Sequence, residues 1–102
     1  MEEPAIEVNE SENRFEVNVD GQVAYLKFEW VRDRIALIHT EVPQALAGRG
    51  LATRLARAGL DFARREGLAV VPVCPVVAAY IRRHKEYLEL VPGRFRSYVS
   101  KK

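Results

Sequence analysis

The chain has 102 residues, 48% hydrophobic and 29% charged, enough for one folded domain and too few for two. Its longest apolar runs fall far short of the roughly 20 residues that cross a bilayer; the acidic opening MEEPAIEVNE lacks the apolar core of a signal peptide; and a single cysteine excludes an internal disulfide and points to a reducing, cytoplasmic setting. The net charge of +2 is uneven: residues 1–46 carry four Lys/Arg and ten Asp/Glu, residues 47–102 twelve and four, which fits either a solvated basic face or a polyanionic partner.

In chain order, Ala5–Val8 and Arg14–Val19 alternate as strands do. Asp20-Gly21 reads as a hairpin turn, because glycine accepts positive φ without steric penalty. Gln22–Trp30 follows as the partner strand, rich in Val, Tyr, Phe and Trp. Arg34–Val42 is the fourth strand; simple alternation sends Ala36, Ile38, Thr40 and Val42 to one face and Ile35, Leu37, His39 and Glu41 to the other. Pro43 ends it. From about Gly50 to Glu66 the period becomes helical, with Arg54, Arg57, Asp61, Arg64 and Arg65 on a polar face and a wide apolar stripe elsewhere. Gly67 suits the helix end. Leu68–Val73 is continuously apolar, as a buried parallel strand is. Pro75 opens a second helix running to about His84 or beyond, and the basic tail from Pro92 is assigned no element. The sum is one α/β (α+β) domain over residues 1–102. Its sheet is mixed and mostly antiparallel, with a parallel strand 4–helix–strand 5 unit joined by a right-handed crossover and a second helix after strand 5.

The entry to the first helix, Ala47-Gly48-Arg49-Gly50, is unusual. A helix leaves about four N–H groups unpaired at its N-terminus, and Ser, Thr, Asp or Asn usually caps them. No such side chain stands here, and no acid occurs until Asp61. Arg49, Arg54 and Arg57 add positive charge at the positive end of the dipole. A phosphate would satisfy the N–H groups and pair with arginine, Gly48 and Gly50 would let it approach the backbone, and Thr53 could add its hydroxyl. Capping by water is the simpler alternative. The stretch is neither a P-loop nor Gly-x-Gly-x-x-Gly, so an NTPase or a dinucleotide enzyme is disfavoured.

This stretch resembles the acetyl-CoA pyrophosphate loop of the GNAT N-acetyltransferases, Gln/Arg-x-x-Gly-x-Gly/Ala. Gly50 and Ala52 match its last two fixed positions; Ala47 occupies the first, where the pattern has Gln or Arg, with Arg49 nearby. The likeness extends from HTEVP at His39–Pro43 to VPVCPVVAAYIRRHKEY at Val71–Tyr87, and is to the small, single-domain minimal acetyltransferases of that superfamily. The resemblance implies a pantetheine arm in a gap where strands 4 and 5 splay apart and a diphosphate on the helix between them. Val42, Gly48, Arg49, Gly50, Leu51, Ala52 and Thr53 are then the expected cofactor-binding residues. It also implies a carbonyl-polarising backbone N–H near Glu41 or Val42, and a tyrosine on the second helix, near Tyr80, that protonates the departing thiolate; a core aromatic is the plainer role for that ring.

Cys74 closes strand 5 and would stand at the mouth of the splay, with His39 on the neighbouring strand. A Cys–His pair can serve as nucleophile and base and would permit an acetyl-cysteine intermediate; a buried, structural cysteine is the alternative. Glu41, two residues from His39 on the same face, could form an acid–base pair with it. Arg82-Arg83-His84-Lys85 reads as a solvated helix end, with the 3′-phosphate of CoA as the alternative. One His–Cys pair without further ligands argues against zinc. Three functions follow: transfer of acetyl from acetyl-CoA to an amine of a protein, polyamine or small molecule; CoA binding without catalysis; and, ranked last, nucleic-acid binding by the basic half. The chain lacks the additional elements with which larger members of the superfamily shape an acceptor site, so an open acceptor side is expected.

Overall fold

Asp20 and Gly21 take φ of 55° and 83°, the doubly positive backbone whose twist matches a tight antiparallel hairpin. The Asn18 side-chain oxygen accepts from the Gly21 N–H at 3.0 Å and fixes that turn. A computed structural model describes residues 4–100; Met1–Glu3 of the acidic start and Lys101 and Lys102 of the basic tail lie outside them. The turn joins β2 (Arg14–Val19) to β3 (Gln22–Val31); β1 is Glu7–Asn9 and β4 is Arg34–Glu41. Helix α1 (Leu51–Glu66) leads to β5 (Ala69–Pro72), and α2 (Pro75–Arg83) follows.

The sheet runs β1-β2-β3-β4-β5, antiparallel as far as β4, with β4 and β5 parallel. The mixed sheet, the parallel crossover unit and the helix after β5 are as expected from the sequence. Boundaries differ by a few residues: β1 starts at Glu7 because pairing begins at Glu7–Glu16, and α2 ends at Arg83, where the His84 N–H bonds the carbonyls of Tyr80 and Ile81. Two 3₁₀ segments follow, Lys85–Leu90 and Gly93–Tyr98. A shorter one, Gln44–Leu46, lies between β4 and α1.

One face of the sheet packs on the helices. Phe15, Val17, Ala24, Leu26, Phe28, Ile35 and Leu37 meet Leu55, Leu60, Val77 and Ile81 in a single core; each buried Val, Leu, Ile or Phe side chain among them contributes about 1.5–3 kcal/mol. Phe15 holds the centre, 5.1 Å from Phe28 and 5.4 Å from Phe62 between ring centroids. Gly59 lets α1 lie close to the sheet, since a Cβ there would stand 3.0 Å from Leu26 Cδ2. Gly67, at φ 70°, ends α1 in the left-handed conformation with its N–H returned to the last turn. Val70 and Val71 are both buried, which explains the unbroken apolar run of β5.

The fourth strand departs from simple alternation. His39 stands opposite Lys27 and Leu37 opposite Phe28, so Ile38 is an extra residue on β4. Cross-strand partners share a face. Thr40, opposite the buried Leu26, therefore joins Leu37 on the helix-covered face, while His39 and Glu41, opposite Lys27 and Tyr25, turn to the other. The strict alternation expected for Arg34–Val42 is corrected by this bulge.

Candidate active site

The loop from β4 into α1 is built by two positive-φ glycines. Gly48 is at φ 82° and Gly50, the residue preceding the helix, is at φ 75° with ψ 16°. No side chain caps α1, and its first turn holds no acid. Val42, Gly48, Gly50, Leu51, Ala52 and Thr53 line one open cavity of about 260 Å³, together with Leu46 and Ala47. Arg49, the other residue expected at this loop, is exposed and outside that lining. The two further arginines are engaged elsewhere: Arg54 donates to the Pro4 carbonyl at 2.7 Å, and Arg57 lies 3.7 Å from Asp61.

Beside this loop, β4 and β5 part. Their last paired residues are Leu37 and Pro72. One further bond, from the Cys74 N–H to the Leu37 carbonyl at 2.8 Å, closes the junction. Beyond it His39–Glu41 keep their pairing with β3, and Ile38–Glu41 have none with β5 among the described residues. Cys74 immediately precedes α2, with Pro75 in the first turn.

The cysteine is buried, and its thiol lies 3.2 Å from the Thr40 hydroxyl. His39 instead meets Glu41, Nε2 to Oε1, at 2.8 Å, with both side chains 56% exposed. The structure thus brings His39 to Glu41 and Cys74 to Thr40, and sets the two pairs on opposite faces of β4. The expected Cys74–His39 contact does not form, because the Ile38 bulge turns His39 away. Thr40 carried no signal in the sequence, since its face depends on that bulge.

Tyr80 is buried on α2, its ring stacked on His84 at 4.2 Å and tilted against Tyr87 at 5.8 Å. It stands six positions along the chain from Cys74, a helical rise of about 9 Å. The Tyr87 hydroxyl donates to Asp61 Oδ1 at 2.6 Å. Burial, reinforced by that bond to a carboxylate, pushes the Tyr87 phenol up to about 12.

The family model described as GCN5-related N-acetyl-transferase matches residues 14–90, the span from β2 through α2 to the end of the first 3₁₀ segment after it. The mouse (Mus musculus) protein called Protein NATD1 is 38% identical over 89 residues, covering 82% of this chain and 81% of its own length. Its human (Homo sapiens) counterpart is 38% identical over 89 residues, at 82% and 79% coverage. The zebrafish (Danio rerio) protein of the same name is 32% identical over 91 residues, at 84% and 83%. With a splayed β4–β5 pair, a glycine-built entry into the intervening helix and a match across most of its length, the chain belongs to the GCN5-related N-acetyltransferase family.

Proposed function

We propose that the chain binds acetyl-CoA and transfers its acetyl group to an amine. The observation that carries this reading is that the uncapped α1 entry and Val42, the residue following β4, line one cavity, while β4 and β5 lose their pairing after Leu37 and Pro72. The residues present fit the cofactor. Three first-turn N–H groups, from Leu51 to Thr53, and two glycines without Cβ atoms suit a diphosphate. The strand edge beyond Leu37 offers peptide groups to a pantetheine arm. Val42, Gly48, Gly50, Leu51, Ala52 and Thr53 would hold the group, with Arg49 reaching from the rim.

When bound, acetyl-CoA supplies an already activated thioester. The chain's own contribution is then to position an amine, take its proton and polarise a carbonyl. The His39–Glu41 pair is the candidate base: the carboxylate orients the imidazole, whose other nitrogen can receive a proton from the acceptor. A backbone N–H near Glu41 or Val42 is the candidate carbonyl donor. Cys74 is the candidate nucleophile, with the Thr40 hydroxyl in place of His39 as its hydrogen-bond partner. Tyr80 is the candidate proton donor to the leaving thiolate. The exposure of His39 and Glu41 suits a protein or polyamine acceptor as well as a small amine.

Thermal unfolding with and without acetyl-CoA tests the donor site, with ADP and ATP as controls. A ligand at 100 times its Kd adds roughly 2.7 kcal/mol, which for a domain of this size raises Tm by on the order of 10 °C. A rise specific to acetyl-CoA supports the reading, and no rise at saturation overturns it. Acetylation of an amine acceptor, lost in Glu41→Gln, separates an enzyme from a binding module.

A further inference from the structure

A second cavity, of about 370 Å³, lies between α2 and the C-terminal 3₁₀ segment. That volume is within the range of about 300–1,000 Å³ typical of small-molecule pockets. Ile81 and Val99, both buried, form its apolar part with Leu88. Arg82, Lys85, Arg96 and Ser100 supply its polar part.

The two guanidiniums are fixed by neutral groups. Arg82 Nη1 donates to the Val99 carbonyl at 2.9 Å. Arg96 donates to the carbonyls of Val91 and Leu88 at 3.0 and 3.2 Å. These bonds orient the arginines, and neither guanidinium has an ion-pair partner among the described residues. No carboxylate lines the cavity among the described residues, and the nearby Glu89 is turned to Arg64 at 3.1 Å. Three cations around an apolar wall, two of them already ordered, favour an anion with an apolar body. Ordered guanidiniums bind carboxylate or phosphate at reduced entropic cost, and the apolar part rewards burial of hydrocarbon.

We propose that this cavity binds a small amphipathic anion, a carboxylate or phosphate monoester carried on a short apolar chain. The site shares no residue with the cavity proposed for the acetyl donor; Arg82 and Lys85, the alternative contacts for the 3′-phosphate of CoA, are tested against that role by the competition experiment below.

The test is isothermal titration of the full chain with octanoate and octyl phosphate, with inorganic phosphate, octanol and octylamine as controls. The expected result is saturable binding of at least one amphipathic anion about tenfold tighter than any control. The tighter of octanoate and octyl phosphate identifies the headgroup. Lys85→Glu, at an exposed position, should weaken that binding by roughly tenfold or more while leaving Tm and acetyl-CoA binding unchanged. Four results would overturn the proposal. Phosphate binding as tightly as octyl phosphate would mean charge attraction alone. Octylamine matching octanoate would mean an apolar groove without charge selectivity. Binding unaffected by Lys85→Glu would place the anion elsewhere. Competition between octanoate and acetyl-CoA would make the cavity part of the donor site.

Discussion

The Thr40 hydroxyl and the Cys74 thiol meet at 3.2 Å across the point where β4 and β5 part. The contact ties the bulged strand to the residue that immediately precedes α2. It also sorts the polar groups around the strand end: Thr40 and Cys74 lie on the helix-covered face, and His39 and Glu41 on the open one. An acetyl group held at the strand edge would have a thiol on one side and an acid–base pair on the other.

Cys74→Ala and Thr40→Val separate chemistry from packing. If the thiol takes part in bond making, Cys74→Ala lowers acetyl transfer by about a hundredfold or more, with the rise in Tm on adding acetyl-CoA retained. Thr40→Val keeps the side-chain shape and removes only the hydroxyl, at a stability cost of about 1 kcal/mol or less, because a thiol is a weak partner. Steady-state rates and thermal unfolding of the two variants measure both quantities. Full activity in Cys74→Ala would assign the cysteine to the core and leave direct attack by the amine, assisted by His39 and Glu41.

Thr53→Glu sets helix stability against ligand binding. Thr53 is exposed in the first turn of α1, where no acid stands. A glutamate there complements the helix dipole and should stabilise the free protein by about 0.3–1 kcal/mol. The same charge faces the proposed diphosphate and should abolish most of the shift caused by acetyl-CoA. Paired melting curves read both effects. A variant that gains stability and keeps its full ligand shift would move the diphosphate away from this loop.

The sheet order and both helices were legible because each rests on local signals. Asp20-Gly21 and Gly67 fix a turn and a helix end through the backbone they permit, and the change of apolar period marks α1 whatever surrounds it. The uncapped, glycine-built entry to α1 was legible for the same reason, since its residues adjoin in sequence. The pairing of polar groups around the cysteine was not. Whether His39 or Thr40 faces Cys74 depends on one extra residue at Ile38, and a bulge in a strand of Ile, Leu and Ala residues leaves no trace in alternation. The Asp61–Tyr87 bond was equally hidden, because it joins α1 to a 3₁₀ segment that carries no sequence periodicity. Asp61 read simply as part of the polar helix face.

Gly59 tests how closely α1 rests on the sheet. A Cβ at this position would meet Leu26 Cδ2 at 3.0 Å and the two methyls of Leu37 at 3.4 Å. Gly59→Ala gains helix propensity of about 0.8–1 kcal/mol, and small rotations of the leucine methyls offset part of that gain. Gly59→Val adds two more methyl groups that have no space and should destabilise by about 1–3 kcal/mol. Denaturant unfolding of the pair gives the difference directly. Equal stability of the two variants would show that α1 can lift from β3 and β4 without cost.

The Tyr87–Asp61 bond makes stability depend on pH in alkaline solution. The folded chain holds the Tyr87 proton up to about pH 12, whereas an unperturbed tyrosine releases it near 10. Between those values the native state binds more protons than the unfolded one, so stability falls as pH rises through the window; below about pH 10 the contribution is fully present. Its full size is on the order of 2 kcal/mol. Tyr87→Phe removes both the bond and the titration, at a cost of about 1 kcal/mol at neutral pH, since Asp61 is half-buried and retains Arg57 nearby. Denaturant unfolding at intervals from pH 8 to pH 12 should therefore show a stability gap between the native protein and the variant that is constant at first, then narrows and begins to reverse as Tyr87 ionises. A gap that persists unchanged to about pH 12 would mean that Tyr87 titrates alike in the folded and unfolded chains, and that the phenol is held by packing against Tyr80 and Arg64 rather than by its bond to Asp61.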